Sequence, residues 1–144
     1  MNNEKNIFSE YIFRELIRIF GEDLLDDKIQ EALSFKNNQK LAELGDSVLD
    51  LVIQEHAYKK PDSSAGTMDS LRQEVGTKKK NQKILNKDKR LQRLIIENDY
   101  KQNQPEKIGL IRSDRYMEAI IGAIFLRKGL LEVRKFVRRI YDIK

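Results

Sequence analysis

The chain lacks cysteine altogether and has no long apolar run. The missing cysteines exclude disulfides and thiolate metal sites, and they fit a reducing compartment. No apolar run reaches the ~20 residues needed to cross a bilayer, and residues 1–6 contain no apolar signal region. A glycine-rich phosphate loop, a zinc-ligand spacing and a Ser/His/Asp pattern are missing too. These absences predict a soluble, cytoplasmic protein without a membrane partner.

The charge balance is the strongest compositional signal. Charged residues make up 35% of the 144 residues, against ~25% in an average globular protein. Lysine and arginine number 28 and acidic residues 23, which gives a net charge of +5. A basic balance fits a polyanion partner such as RNA, although it fits many other soluble proteins as well. The length suits one domain over residues 1–144.

Apolar residues recur three and four positions apart along most of the chain, which is the period of helices buried on one side. No segment alternates with the two-residue period of a strand, so the predicted fold class is all-α. Gly21 and Gly129 are expected to end helices, while Asn37 or Asn38 and Thr77 can cap them. The predicted helices cover residues 7–20, 26–33, 38–58, 67–76, 113–127 and 130–141, with another beginning after Thr77, a short apolar segment at 91–96, and loops at 61–66 and 98–109.

Three acidic residues share a face of the helix predicted over residues 38–58. Glu43, Asp46 and Asp50 are three or four positions apart. Gly45 lies among them, and because glycine costs ~1 kcal/mol against alanine in a helix, it indicates close approach of another backbone. Carboxylates on such a helix are costly to desolvate and commonly hold hard cations such as Mg²⁺. A solvated acidic stripe is the alternative that the spacing leaves open.

A second acidic residue of interest is Glu118, which lies inside the apolar run at residues 116–125. A lone carboxylate in such a run is hard to explain as surface decoration. It either has a function or is paired with Arg112 or Arg115 one turn away, or caps the start of a helix.

Both stretches resemble the two catalytic helices of the ribonuclease III family. Residues 40–50 read Lys-Leu-Ala-Glu-Leu-Gly-Asp-Ser-Val-Leu-Asp, where the family has Leu-Glu-Phe-Leu-Gly-Asp-Ser. Residues 115–123 read Arg-Tyr-Met-Glu-Ala-Ile-Ile-Gly-Ala, where the family has Asp-x-x-Glu-Ala-Leu-Ile-Gly-Ala. Residues 68–75 resemble the family's Leu-Ser-x-Leu-Arg stretch, and residues 31–34 its Glu-Ala-Leu-Thr. The resemblance implies a single ribonuclease III-type helical domain over residues 1–144.

The chain departs from the family at two expected acids, because Ala42 and Arg115 stand where the family usually has carboxylates. The compact Mini-III subfamily also lacks both, and it lacks the double-stranded-RNA-binding domain for which this chain leaves no room. The resemblance therefore implies the compact form. Glu43 and Asp114 lie at shifted positions that can share the broad face of the missing acids. They either restore ligation or are solvated charges. In the family, an aromatic residue often stands at the position of Glu43 and inserts into the partner subunit. A glutamate there argues against the usual dimer contact.

Basic residues frame the two motifs and are candidates for phosphate contacts or, alternatively, for solvated helix faces. They are Lys78, Lys79, Lys80, Lys83, Lys87, Lys89, Arg90 and Arg93 in the middle, and Arg127, Lys128, Arg134, Lys135, Arg138 and Arg139 near the end. His56 is interpreted as a structural or surface residue.

The resemblance implies an endoribonuclease that cleaves double-stranded or structured RNA, with ribosomal RNA maturation as a candidate role. Its catalytic residues would be Asp46 and Glu118, and its metal ligands these two with Asp114 and Glu43. The implied cofactor is Mg²⁺, with Mn²⁺ as a substitute, and the implied assembly is a homodimer. The face around Leu44 and Val48 is the candidate contact, and Glu43 is its least certain element. The alternative is a non-catalytic ribonuclease III-like protein that binds RNA or the ribosome. An unrelated helical interaction protein is a third interpretation.

Overall fold

The computed structural model describes residues 10–61, 64–75, 77–99 and 114–141, and every regular element in these ranges is a helix. The prediction of an all-α fold is confirmed. The helices are α1 (Tyr11–Phe20), α2 (Asp27–Ala32), α3 (Gln39–Tyr58), α4 (Ala65–Val75), α5 (Lys78–Lys87), α6 (Lys89–Asp99), α7 (Arg115–Lys128) and α8 (Leu130–Ile140). None of the described helices is both long and apolar enough to pass through a membrane.

Most helix ends follow the local signals in the sequence. Gly21 and Gly129 have φ angles of +97° and +87°, which glycine adopts easily, and they end α1 and α7. The Thr77 hydroxyl accepts a hydrogen bond from the Lys80 amide at 3.1 Å, as its capping role predicts. The loop predicted over 61–66 is wrong at its end, because α4 already begins at Ala65. Residues 7–9 and 100–109 lie outside the described residues.

Asn38 precedes α3, but its side chain does not cap the helix. Its amide donates to the Ala32 carbonyl at 2.9 Å and accepts from Arg115 Nε at 2.9 Å. The Asn38 side chain is fully buried, and these two hydrogen bonds satisfy its polar atoms. If its oxygen capped α3 instead, Arg115 would lose this acceptor. Asn38 therefore joins the end of α2 to the start of α7.

The helices α3 and α7 form the centre of the fold and cross backbone to backbone. A Cβ atom added to Gly45 would lie 1.6 Å from the carbonyl oxygen of Glu118. One added to Gly122 would lie 2.4 Å from the carbonyl oxygen of Leu41. Both glycines are therefore required by the crossing, and the close approach predicted from Gly45 is confirmed. The apolar residues of α7 around this crossing are fully buried.

One buried carboxylate caps the N-termini of two helices. Asp88 accepts hydrogen bonds from the Leu91 amide at 2.9 Å, in the first turn of α6, and from the Phe13 amide at 2.8 Å, in the first turn of α1. Burial raises the pKa of Asp88, against the backbone N–H groups that act to lower it. Glu10, which precedes α1, makes no side-chain cap bond, so Asp88 supplies the cap from a distance.

We expect Asp88→Ala to lower the free energy of unfolding by about 2–4 kcal/mol, because it removes one cap acceptor from each of two helices. Asp88→Asn keeps only one of the two acceptor oxygens, because Phe13 binds Oδ2 and Leu91 binds Oδ1, so we expect an intermediate cost of about 1–2 kcal/mol. Urea unfolding followed by circular dichroism measures both. Equal costs for the two variants would contradict the double cap.

Arginines near the end of the chain bind α8 and α7 to the rest of the fold. Arg134 forms a two-point ion pair with Glu55, at 2.7 Å and 2.8 Å. Arg139 pairs with Glu15 at 2.9 Å, and Arg127 with Asp26 at 3.0 Å. Three of the arginines predicted as candidate phosphate contacts therefore already have carboxylate partners within the fold.

Candidate functional site

The crossing of α3 and α7 places three acidic side chains together. Asp46 follows Gly45 directly, so it lies at the point of closest approach between the helices. Glu118 lies in the first turn of α7, and Asp114 is the residue before that helix. Both aspartates interact with the Glu118 carboxylate through hydrogen bonds and charge. The structure therefore brings together Asp46, Asp114 and Glu118, which the sequence places about seventy positions apart at the widest.

Burial, together with the crowding of like charges, sets the electrostatics of this cluster. Burial and, after it, the neighbouring carboxylates of Asp46 and Asp114 together raise the pKa of Glu118 to about 8. A protonated Glu118 can donate a hydrogen bond to either aspartate, whereas an ionised one is repelled by both. The cluster is therefore short of positive charge, which a proton or a divalent cation would supply.

The other predicted ligand position lies apart from this cluster. Glu43 is exposed, and it is not among the groups that act on Glu118. Ala42, at the first missing acid of the family pattern, is 4% exposed and packs in the core. The position therefore has no room for a solvated carboxylate without rearrangement of the core.

Arg115, at the second missing acid, is bound to the turn before α3. Its guanidinium stacks 3.7 Å from the centre of the Phe35 ring and donates to the Phe35 carbonyl and to Asn38. The described contacts of Arg115 thus fix the start of α7 against the turn that leads into α3. Arg112, the other proposed partner of Glu118, lies outside the described residues.

Asp46 of the carboxylate cluster also lines a groove between α3 and α4 with a volume of about 480 Å³. Its wall includes Asp46 and Asp50 from α3 and Asp69 and Arg72 from α4. Arg72 Nε lies 2.6 Å from Asp50 Oδ1. Sequence reasoning placed Asp50 on the acidic face but assigned no role to Arg72 or Asp69. The resemblance of residues 68–75 to the family's Leu-Ser-x-Leu-Arg stretch was the sequence signal that could have indicated these two residues.

Behind the cluster, the buried Tyr141 hydroxyl is hydrogen bonded to the Asn81 side chain. Burial, together with the charges of Glu118 and Asp114, raises the pKa of Tyr141. The phenol therefore stays protonated and donates to Asn81. This bond ties the end of α8 to α5 beside the carboxylates.

The residues of the cluster fit a hard cation by their chemistry. In the described ranges, no three His, Cys, Asp or Glu side chains stand in a ready-made ligand arrangement. Mg²⁺, however, commonly takes only one or two protein carboxylates and completes its shell with water and substrate phosphates. The proximity of the Asp46, Asp114 and Glu118 carboxylates is the observation that favours a cation here. That Asp46, Glu118 and Asp114 hold such a cation stays a prediction, with which their proximity is consistent.

The raised pKa of Glu118 makes stability depend on pH in a way that a metal should reverse. The unfolded carboxyl titrates near 4.5 and the folded one near 8, so the folded state retains the proton longer. This contribution to stability is complete below 4.5 and is lost as pH rises through about 8. We expect the melting temperature of the metal-free protein to fall across this window, and added Mg²⁺ to restore it most strongly above about 8.

Thermal unfolding by circular dichroism, with EDTA and with Mg²⁺, measures this effect. Glu118→Gln is the reference, because it retains the other titrating groups and removes this one. A wild-type profile that parallels that of the variant would contradict the assignment.

A family model described as Ribonuclease-III-like matches residues 28–143 of the chain. Ribonuclease 3 of a Nitratiruptor species is 32% identical over 136 residues, which cover 89% of this chain and 60% of the relative. Ribonuclease 3 of Wolinella succinogenes is 34% identical over 119 residues, which cover 78% of this chain and 50% of the relative. The chain therefore spans between 50% and 60% of the length of these curated relatives.

A solved structure of the nuclease domain of ribonuclease III from Campylobacter jejuni is similar to the fold. The TM-score is 0.66 at 28% identity, and the match covers 89% of this chain and 94% of that domain. That structure is described as showing flexibility in a region involved in dimer formation. The correspondence extends over nearly all of the nuclease domain.

Proposed function

The chain belongs to the ribonuclease-III-like family, and from that premise we propose that it is a Mg²⁺-dependent endoribonuclease that cleaves double-stranded or structured RNA. Ribosomal RNA maturation is the candidate role, and Mn²⁺ the substitute metal. The observation that carries the proposal is the cluster of Asp46, Asp114 and Glu118 at the α3–α7 crossing. A cluster of repelling carboxylates is costly to maintain unless a cation holds it.

The protein's part in the proposed reaction is to place oxygen ligands for the ion. When bound, Mg²⁺ lowers the pKa of a water and stabilises negative charge on the scissile phosphate. Asp46 and Glu118 would hold the ion, and Glu118 would release its proton as it does so, since only the carboxylate is a ligand. Asp114, and Glu43 after rotation of its exposed side chain, are the additional proposed ligands. The direct contact between α3 and α7 keeps the two principal acids at a fixed separation.

Double-stranded RNA would be recognised by its shape, its phosphates and its 2′-hydroxyls, with little sequence preference. Lysines to which the described residues offer no carboxylate partner can supply phosphate contacts, and α5 carries a series of lysines along its length. Arg127, Arg134 and Arg139 are weaker candidates because each is already paired.

The test is a cleavage assay on a long RNA duplex with Mg²⁺, Mn²⁺ or EDTA. We expect cleavage with either metal and none with EDTA. A non-catalytic RNA-binding member of the family is the second candidate, favoured by the buried Ala42 and the bound Arg115 at two expected ligand positions. Duplex binding without cleavage in any metal would establish that second candidate and reject the first.

We expect the protein to form a homodimer, because two centres are needed to cut both strands of a duplex. The contact face predicted around Leu44 and Val48 needs correction, since Val48 is 6% exposed and packs in the core. Leu51 and Tyr58, on the exposed side of α3, are 52% and 75% exposed and replace it as candidates. Light scattering should give twice the 17.0 kDa of the chain.

Leu51→Asp should shift this mass toward the monomer, because a charge would enter the apolar contact. Leu25→Asp is the matched control, as Leu25 is 77% exposed in a different part of the fold. A monomeric mass for the wild-type protein, at concentrations where it cleaves duplex RNA, would rule out the dimer.

A further inference from the structure

The groove between α3 and α4 contains an arginine whose position suits a phosphate group. Among the described residues that line it, Arg72 is the only one with a positive charge, while Asp46, Asp50 and Asp69 are negative. A groove with this balance repels a polyanion unless cations compensate. A metal ion at Asp46 would be one such cation, and Arg72 is the other.

The ion pair with Asp50 orients Arg72 without using all of its donors. Asp50 Oδ1 lies 2.6 Å from Arg72 Nε, and Asp69 Oδ1 lies 3.7 Å from Nη1, which is too long for a hydrogen bond. Guanidinium carries five N–H donors in a planar fork, so those on Nη1 and Nη2 remain for a ligand. The side chain is 44% exposed at the groove wall, which leaves it accessible.

The distance between Arg72 and the carboxylate cluster is set by α3. Asp46 and Asp50 are one helical turn apart, about 6 Å along the axis. Arg72 is held by Asp50, so it lies about one turn from the acid nearest to the proposed metal. This separation is on the scale of one nucleotide step along a strand.

We propose that Arg72 is a substrate-positioning residue that binds a backbone phosphate next to the scissile one on the same RNA strand. Asp50 orients the guanidinium so that its outer N–H groups can form a two-point contact with the phosphate oxygens. The inference rests on the proposed function and extends it by assigning the groove between α3 and α4 to the substrate strand. It also accounts for Asp50, which the carboxylate cluster does not use.

The test compares Arg72→Gln with Arg14→Gln. Both remove one exposed, carboxylate-paired arginine, but Arg14 lies on α1 and pairs with Glu10 at 3.4 Å. Duplex RNA affinity is measured by fluorescence anisotropy over a salt series, with every variant carrying Asp46→Asn to prevent cleavage. We expect Arg72→Gln to weaken binding about tenfold or more and to lower the salt slope by about 1. Arg14→Gln should change neither.

Steady-state cleavage by the single variants gives a second readout. A positioning contact that is lost should raise KM more than it lowers kcat, and Arg72→Lys should lie between the wild type and Arg72→Gln because it retains charge without the fork. A purely structural role predicts a lower melting temperature with an unchanged salt slope, and that result would overturn the proposal. So would equal behaviour of Arg72→Gln and Arg14→Gln in a protein whose wild type cleaves RNA. Failure of the wild type itself to cleave would instead reject the proposed function.

Discussion

Replacing Gly45 by alanine should strongly destabilise the fold. The added methyl group would lie 1.6 Å from the carbonyl oxygen of Glu118 and 2.9 Å from the amide nitrogen of Gly122. Both contacts are with backbone of α7, which cannot rotate away as a flexible side chain can. The helices would have to separate along the centre of the fold, and we expect a loss of about 3–5 kcal/mol, toward the extreme of single substitutions. Urea unfolding and the yield of soluble protein measure the effect.

Gly66→Ala is the matched control for this experiment. Gly66 also lies in a helix, but the nearest atom to its added Cβ is the Ser64 hydroxyl at 3.8 Å. Alanine favours the helix there, so stability should stay the same or rise by up to about 1 kcal/mol. If Gly45→Ala were tolerated as well as Gly66→Ala, the crossing of α3 and α7 would have to be looser than described.

Asp46→Asn should reduce RNA cleavage by about 10³-fold or more, because the metal contributes several kcal/mol to the transition state and loses a charged ligand. Asparagine has the same shape, and Asp46 is exposed, so folding should be nearly unaffected. Single-turnover cleavage of a duplex measures the loss, and the melting temperature serves as the control. Removal of a carboxylate that repels Glu118 should even stabilise the metal-free protein slightly. Cleavage at the wild-type rate would exclude Asp46 from the site.

The two shifted acids should respond differently to alanine substitution. The Asp114 carboxylate interacts with Glu118 through a hydrogen bond and through charge. Because Asp114→Ala would remove a proposed ligand, it should raise the Mg²⁺ concentration needed for half-maximal rate. Glu43 is exposed and not in that cluster, so Glu43→Ala tests whether its side chain joins the metal once RNA is bound. Ala42→Glu should not increase activity, because position 42 is buried in the core. A strong increase from Ala42→Glu would instead indicate a site that is short of one ligand.

Local signals in the sequence predicted the helices, since the apolar period and the caps act over a few residues. Thr77 and Gly129 are examples. The contact at Gly45 was also predictable, because glycine within a helix needs a reason in packing. Long-range choices were not predictable. The Asn38 side chain could either cap α3 or bind Ala32 and Arg115. The position of α7 decides which of these hydrogen bonds form. The same holds for the groove, whose wall requires α4 to lie beside α3.

The shared carboxylate of Asp88 has a consequence for the order of events during synthesis. Its bond to the Phe13 amide joins positions 75 residues apart, and α1 has no side-chain cap of its own. The α1 segment leaves the ribosome well before Asp88 has been added to the chain, and closing so long a loop delays the contact further. We therefore expect α1, the first of the described helices to emerge, to be among the last of them to gain protection from hydrogen exchange.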